Sequence, residues 1–305
     1  MKQATSDILM VRPAHFGFNS QTAASNTFQH FSNEAENLIT SKAKNEFDDA
    51  VEKLRAHGII VRLVEDTPLP PKPDAVFPNN WITFSHSGEV YIFPMLSQNR
   101  LAEIREDIIE RLRKDYFINQ VIDIRKTAAT RFLEGTGSMV FDHENKIAYA
   151  CLSPLTNQSL FEAYCQSIQY KPISFIAKDN QGIPIYHTNV MMSIASGYAI
   201  ICLESISNPN ERNKLRNLLV ETGHQIIEIN AAQVEQFAGN MLALINIKGE
   251  RLQVMSDRAY QALDEGQVSA ISTHARILTL KIPIIEEIGG GSVRCMIAEI
   301  FCPPL

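Results

Sequence analysis

The chain has no hydrophobic run long enough to cross a membrane and no cysteines paired by spacing. No apolar stretch approaches the roughly 20 residues that span a bilayer, and the opening MKQATSDILMVRP lacks the features of a signal peptide. Five cysteines are present, with no Cys-x-x-Cys or Cys/His metal spacing: Cys151, Cys165, Cys202, Cys295 and Cys302. We therefore expect free thiols in a reducing cytoplasm, without a structural zinc site or a membrane partner.

Concentrated positive charge is missing as well. The 34 acidic and 28 basic residues give a net charge of −6 and are spread without blocks. Because nucleic acids bind to concentrated basic faces, no nucleic-acid partner is expected. A hydrophobic content of 45% in 305 residues is typical of a globular protein with a sizeable core.

The chain does contain a repeat, which is visible in the order of apolar and polar residues rather than in residue identity. Five amphipathic segments have apolar residues at helical spacing, such as Phe47, Val51 and Leu54 in the first. These predicted helices are residues 43–57, 100–116, 159–170, 208–222 and 256–272. A strand-like run follows each helix, and successive runs start 59, 54, 53 and 50 residues apart.

A hairpin signal lies between each strand-like run and the next helix. Pairs of short apolar runs flank polar or glycine turns within residues 81–93, 138–151, 190–204 and 241–255. The last unit has only residues 293–301, to which residues 8–12 could supply a partner strand. We therefore predict an α/β fold of five ββαβ-type units, forming one domain over residues 1–305 and closed around a pseudo-fivefold axis.

Polar or reactive residues precede each hairpin, near the entrance to its first strand. The five segments are residues 78–80 (PNN), 134–137 (EGTG), 187–189 (HTN), 238–240 (AGN) and 289–291 (GGG, leading to Cys295). Equivalent positions in a ring converge on its axis. Residues far apart in sequence could therefore share one pocket with convergent polar groups.

Three of these residues could carry chemistry, and each also has a structural interpretation. Cys295 lies in GGGSVRCM, where glycines permit close approach and Arg294 offers positive charge, so it could be a thiolate nucleophile or a buried strand cysteine. His187 could be a general acid and base or a strand-edge histidine. Glu134 could grip a planar cation or be a solvated turn residue. Cys302 is the rival thiol.

At these residues the chain resembles the guanidino-group-modifying superfamily, the penteins, which includes arginine deiminases, dimethylarginine hydrolases, agmatine deiminases and amidinotransferases. The similar segments are PDAVFPNNW (73–81), LEGTGS (133–138), YHTNVMM (186–192) and GGGSVRCM (289–296). MVRPAHFGFN and FAGNMLAL further resemble a bacterial branch associated with citrulline utilisation. The resemblance implies a pentein α/β-propeller.

The resemblance also implies roles for these residues. Cys295 would be the nucleophile of a covalent intermediate, His187 would protonate the leaving nitrogen and then activate water, and Glu134 would hold the substrate's nitrogens. Contacts with a small guanidino or ureido substrate are expected from Asp74, Phe77, Asn79, Asn80, Asn189 and Arg294. No metal and no cofactor are expected.

The chain departs from relatives at two places. Asn79 and Asn80 stand where many members carry a second acid, and an amide can donate to a neutral group as well as accept from it. We expect this change to favour ureido groups over guanidino groups. Leu155 stands where relatives often have an arginine that can bind an α-carboxylate, so the remainder of the substrate stays open.

The favoured function is a cysteine-dependent hydrolase of a C–N bond in a ureido or guanidino substrate. An amidinotransferase, which passes the group to an amine, shares the first half-reaction and is an alternative. A non-catalytic pentein binding protein is an alternative of another class. A metalloenzyme is disfavoured because His187 and Glu134 have no companion histidine at helical spacing. A homo-oligomer remains open.

Overall fold

Five small mixed sheets with one shared topology make up the computed structural model, which describes residues 1–305. In every sheet the central strand pairs antiparallel with one neighbour and parallel with the other. A helical segment links the central strand to its parallel neighbour, so the predicted ββαβ pattern and the mixed α/β class are confirmed.

The strands are short, between two and six residues. The sheet that joins the two ends of the chain contains β1 (Asp7–Arg12), β2 (Ile60–Glu65) and β15 (Ala298–Glu299). The other four, in chain order, are β3 (Ile82–Phe84), β4 (Glu89–Ile92) and β5 (Gln120–Asp123); β6 (Val140–Asp142), β7 (Ile147–Cys151) and β8 (Lys171–Phe175); β9 (Met192–Ala195), β10 (Tyr198–Ile201) and β11 (Gln225–Glu228); β12 (Leu242–Ile245), β13 (Arg251–Ser256) and β14 (Arg276–Leu280).

Ten α-helical segments accompany the strands. They are α1 (Glu36–Ala56), α2 (Glu106–Leu112), α3 (Arg125–Ala128), α4 (Gly135–Ser138), α5 (Gln158–Ser167), α6 (Pro209–Glu221), α7 (Ala231–Val234), α8 (Asp257–Ala262), α9 (Glu265–Ser272) and α10 (Pro283–Gly289). Short 3₁₀ turns cover Pro78–Asn80, Gln98–Glu103, Thr188–Val190 and Leu203–Ser205.

Three predicted helices differ from those observed. The first begins earlier, at Glu36, and the second is interrupted, since a 3₁₀ turn over Gln98–Glu103 precedes the short α2. The fifth is divided into α8 and α9, because the Asp264 side chain accepts from the backbone N–H of Gln267 and starts a new helix with a capping box. The fourth helix, α6, agrees with the prediction within one residue at each end, and the third, α5, begins one residue earlier and ends three residues earlier than predicted.

The helices cover one face of the sheets and bury their apolar sides there. In α1, the buried residues Ala43, Phe47 and Val51 recur at helical spacing and belong to one core cluster with Ile8 of β1. The antiparallel strands of neighbouring sheets also pack on one another, with β9 between β6 and β12 and with β15 against β3. No helix is long and apolar enough to cross a membrane.

The two ends of the chain pair as predicted. Ile8 and Leu9 of β1 lie opposite Glu299 and Ala298 of β15 in antiparallel register. The last strand is much shorter than the predicted residues 293–301, because residues 293–296 form a tight turn. That turn carries Cys295.

Candidate active site

A turn before each hairpin carries the polar residues, as the repeat predicted. Two glycines allow neighbouring turns to approach closely. A Cβ on Gly135, which has a φ of 46°, would lie 2.2 Å from the carbonyl oxygen of Asn79, and one on Gly137 would lie 2.2 Å from the amide nitrogen of Asn80. A side chain at Gly135 would therefore push the turn before β3 away from α4, and one at Gly137 would displace the side chains of Asn80 and His187.

Six of the predicted site residues line one buried pocket. They are Asp74, Phe77, Asn80, Glu134, His187 and Cys295. Residues from the N-terminal segment (Thr22, Ser25 and Asn26), Leu155, Tyr186 and the three glycines at 289–291 complete much of its wall. The aromatic ring of Phe77 packs so closely on Gly289 and Gly291 that a Cβ on either would lie 2.9 Å from it. The pocket thus assembles residues that are up to 273 positions apart, from Thr22 to Cys295.

Cys295 is buried in this pocket and is held by two asparagines. Its Sγ lies 3.3 Å from Nδ2 of Asn240 and 3.7 Å from Nδ2 of Asn189. Asn240 also accepts the backbone N–H of Arg294 through Oδ1, at 3.0 Å, which fixes the turn that carries the thiol. Burial raises the pKa of the Cys295 thiol, and the donors around it offset this only in part.

His187 and Glu134 form a buried pair. Nε2 of His187 lies 3.0 Å from Oε2 of Glu134, and Oε1 of Glu134 accepts the backbone N–H of Leu96 at 2.9 Å. Burial alone would raise the pKa of Glu134. The hydrogen bond and charge of His187, with the nearby cation of Arg100, outweigh burial and lower that pKa. Glu134 is therefore a carboxylate that orients the imidazole.

Arg100 is a buried cation that the sequence did not single out. Its guanidinium makes two hydrogen bonds of 2.9 Å to Glu103, donates to Oδ1 of Asn80 at 3.1 Å, and lies 3.8 Å from carboxylate oxygens of both Asp74 and Glu134. Burial lowers the pKa of Arg100, but the surrounding carboxylates raise it above its ordinary value. Arg100 is thus a fixed charge that balances the acids of the pocket.

Two polar atoms of residues that line the pocket have no partner in the protein, Oδ1 of Asp74 and Nδ2 of Asn80. Both side-chain polar atoms of the predicted site residue Asn79 are also unpaired, but Asn79 does not line the pocket. Oδ2 of Asp74 accepts from Nδ2 of Asn19 at 2.6 Å, and burial raises the pKa of this carboxyl. Unpaired buried polar atoms are costly, so a bound group that pairs with them gains affinity.

Arg294 lies outside the pocket, contrary to the substrate contact suggested for it. Its guanidinium donates to the carbonyl of Ile297 and pairs with Glu299 at 2.9 Å, on the opposite side of the turn from Cys295. These contacts hold the Arg294 side chain among residues that do not line the pocket of Cys295. Its position does not match a role in binding substrate.

Two further residues of the site, Asn240 and Arg100, were not among the predicted site residues, and the sequence pattern could have identified only the first. Asn240 occupies the place in its repeat that Asn80 and Asn189 occupy in theirs, so the repeat itself could have identified it. Arg100 offers no such signal, because it was predicted only as a basic residue at the start of the second helix. No group of three or more His, Cys, Asp or Glu side chains in the chain is arranged to hold a metal ion.

The five sheets and the Cys–His–Glu pocket define a member of the pentein superfamily of guanidino-group-modifying proteins. A family model described as "N,N dimethylarginine dimethylhydrolase, eukaryotic" matches residues 12–302. The chain belongs to this dimethylarginine dimethylhydrolase family. No curated protein matches it in sequence.

Solved structures with the same fold include full-length ArgZ, the N-terminal domain of ArgZ and a DDAH. ArgZ, an arginine dihydrolase from the ornithine-ammonia cycle in cyanobacteria, is 15% identical with a TM-score of 0.73, covering 98% of this chain and 41% of ArgZ. The chain therefore spans about two fifths of full-length ArgZ. The N-terminal domain of ArgZ, bound to substrate, is 14% identical with a TM-score of 0.74, covering 98% and 99%. DDAH from Pseudomonas aeruginosa, complexed with citrulline, is 15% identical with a TM-score of 0.68, covering 97% and 99%.

Proposed function

We propose that the protein is a cysteine-dependent hydrolase that cleaves a C–N bond of a ureido group, as in citrulline. The observation that carries this proposal is the single pocket in which the Cys295 thiol, the His187–Glu134 pair and two unpaired polar atoms meet. The five similar sheets support a single closed domain over residues 1–305, a five-unit α/β-propeller.

The chemistry follows from the positions of these groups. The Cys295 thiol passes its proton to His187 as its sulfur attacks the ureido carbon, and His187 gives that proton to the departing nitrogen as the C–N bond breaks. The carbon remains bound to sulfur as a thiocarbamate. His187 then removes a proton from water, the resulting hydroxide attacks the same carbon, the C–S bond breaks to release a carbamate, and His187 returns the proton to the sulfur. Glu134 keeps the imidazole oriented throughout and stabilises its protonated form.

The unpaired atoms favour a ureido group over a guanidinium. Arg100 can only donate hydrogen bonds, so the side-chain oxygen of Asn80 must face it, and Nδ2 of Asn80 is left as a donor without an acceptor. Oδ1 of Asp74 is an acceptor without a donor. A ureido group supplies one carbonyl oxygen and N–H donors, whereas a guanidinium has donors only.

The pocket offers few charged groups to the part of the substrate beyond its ureido group. Arg100 is already bonded twice to Glu103, Arg294 lies outside, and Leu155 lines the wall. A ureido compound without a carboxylate near Leu155 therefore fits this pocket at least as well as citrulline. A mutant of DDAH from Pseudomonas aeruginosa is complexed with citrulline, which supports a citrulline-like ligand for the same fold.

The experiment measures ammonia and amine release from citrulline, arginine, dimethylarginine and N-carbamoylputrescine. The native protein is expected to turn over the ureido compounds faster than the guanidino compounds, and Cys295→Ala is expected to turn over none. Asn80→Asp replaces the free donor with an acceptor and should shift the preference toward guanidino compounds. Turnover that survives Cys295→Ala would refute the thiol mechanism, and an unchanged preference in Asn80→Asp would refute the ureido assignment.

The cellular setting also belongs to this proposal. All five cysteines are free and buried, which supports a reducing cytoplasmic location. A small-molecule substrate is the expected partner.

A further inference from the structure

A second cavity lies away from Cys295 and shares no lining residue with the catalytic pocket. It encloses about 460 Å³ between β3, β6, the end of α5 and the residues that follow β15. Ligand pockets commonly measure roughly 300–1,000 Å³. Protein interiors are otherwise packed closely, so a preserved space of this size is a candidate ligand site.

Six aromatic side chains form part of the walls of this second cavity, beside polar residues such as His86, His143 and Lys146. The six aromatic side chains are Phe84, Tyr91, Phe141, Tyr164, Tyr170 and Phe301. Several of these rings support one another edge to face, with 5.0 Å between the centroids of Tyr91 and Tyr164 and 5.7 Å between those of Phe141 and Tyr170. Because the rings hold each other in place, the cavity is formed before any ligand arrives.

Two carboxylates line the cavity, those of Glu89 and Glu299, and Glu89 already accepts from the hydroxyls of Ser85 and Ser87. Oε2 of Glu299 accepts from Arg294 at 2.9 Å, and this is the only hydrogen bond that the Glu299 side chain makes. Its second oxygen can therefore accept from a ligand, and an ionised acceptor makes a hydrogen bond about twice as strong as a neutral one. Because Glu299 is already paired with Arg294, its negative charge is balanced within the protein. A ligand at this site therefore does not need to carry a positive charge.

We propose that this second cavity binds a flat heteroaromatic molecule with an N–H donor, whose ring lies against the aromatic walls while the N–H donates to Glu299. A ring of the size of an indole or a nucleobase matches the aromatic part of the walls and the acceptor of Glu299. The site is independent of the hydrolytic chemistry at Cys295.

Binding of indole, measured by isothermal titration calorimetry on the whole protein, tests the proposal. Ser167 is exposed at the rim of the cavity, at the end of α5, and Ser167→Trp places a large ring over its mouth. The neighbouring Gln166 is equally exposed but does not line the cavity, so Gln166→Trp is the matched control. We expect the native protein and Gln166→Trp to bind indole equally, and Ser167→Trp to bind at least tenfold more weakly.

The role of Glu299 is tested with benzofuran, which has the shape of indole but no N–H. Indole should bind more tightly than benzofuran to the native protein, and Glu299→Gln should reduce that preference, since it removes the charged acceptor. Indole binding should persist in Cys295→Ala, which separates this cavity from the catalytic pocket. Absence of indole binding to the native protein, or equal binding by Ser167→Trp, would overturn the proposal.

Discussion

At the scale of single residues, the surroundings of Cys295 keep its thiol protonated in the free protein. The side chain is buried, and the atoms nearest to Sγ are two neutral amide groups rather than a cation, since the Arg294 guanidinium points away to Glu299. Its pKa is therefore raised, in contrast to the low-pKa thiols that sit beside a cation.

Because the Cys295 thiol is protonated in the free protein, the rate of its reaction with iodoacetamide should depend on pH. Alkylation requires the thiolate, so its rate should keep rising with pH beyond about 8.5, the ordinary thiol pKa. Mass spectrometry after timed quenching gives the rate at Cys295, and Cys295→Ala gives the background from the other four cysteines. A rate that is already constant from pH 6 to 8 would mean that the thiolate forms readily in the free protein.

Asn240 is a positioning residue that makes two contacts: its Nδ2 lies close to Sγ of Cys295, and its Oδ1 accepts the backbone N–H of Arg294. Substitutions can separate the effects of these two contacts. Asn240→Ala removes the contact with Sγ and leaves the Arg294 N–H without its acceptor, a cost of about 1–3 kcal/mol for a buried group. We expect a large fall in kcat and an alkylation profile of Cys295 moved to higher pH.

Asn240→Asp separates the two roles of this side chain. The aspartate still accepts the Arg294 N–H, so stability should recover, but a carboxylate beside the thiol should move the alkylation profile further upward. If both variants kept the native alkylation profile, Asn240 would serve only the stability of the turn.

The meeting of the candidate catalytic residues could be predicted from the sequence, and their charged supports could not. Cys295, His187 and Glu134 occupy equivalent places in a repeat, which predicted their meeting in one pocket. Arg100 was predicted as the first residue of the second helix, and nothing in that pattern indicated that it would be buried among three acids. The direction of Arg294 depends on the tight turn over residues 293–296, where a strand was predicted.

At the scale of elements, α1 holds the segment that leads to Cys295. Glu46 of α1 accepts the backbone N–H groups of Ile284 and Ile285, in the first turn of α10, at 2.9–3.0 Å. Free N–H groups at a helix start need such acceptors, and a carboxylate there also suits the helix dipole. Helix α10 ends at the glycines that pack on Phe77.

Glu46→Ala should therefore destabilise the protein by about 1–2 kcal/mol, in the range measured for lost helix caps. The free energy of unfolding in urea measures this, and Glu52→Ala, an exposed change on the same helix, is the control. Equal stabilities of the two variants would show that water satisfies the start of α10 without Glu46.

Helix ends were the least predictable part of the elements. The pattern Asp264 to Gln267 is itself a capping signal, so the break between α8 and α9 was readable from the sequence. The 3₁₀ turn over Gln98–Glu103 was not, because Arg100 and Glu103 turn inward to their buried partners. Tertiary contacts there overrode the helical periodicity.

At the scale of the whole molecule, the repeated topology was predictable because each unit must bury one face of a small sheet against a helix. The spacing of about 50–60 residues expresses that requirement directly. The same logic predicted that the N-terminal strand completes the last unit. This pairing makes β1 the central strand of a sheet whose members come from both ends of the chain.

The last strand should therefore stabilise the whole fold rather than its own end. Ile300 is 2% exposed, clusters with Leu9 and Trp81, and donates its backbone N–H to the carbonyl of Asp7. Ile300→Ala should cost about 2–5 kcal/mol, the range for such core truncations. Leu305→Ala, at a side chain that is 77% exposed, should change stability by less than about 0.5 kcal/mol.

Urea unfolding followed by far-UV circular dichroism and by turnover distinguishes a global effect from a local one. If the ends of the chain hold the five units together, both signals should be lost in a single transition, shifted to lower urea in Ile300→Ala. Turnover that disappears well before the circular dichroism signal would show that the terminal sheet opens alone. In that case β15 would support the turn of Cys295 without stabilising the other four sheets.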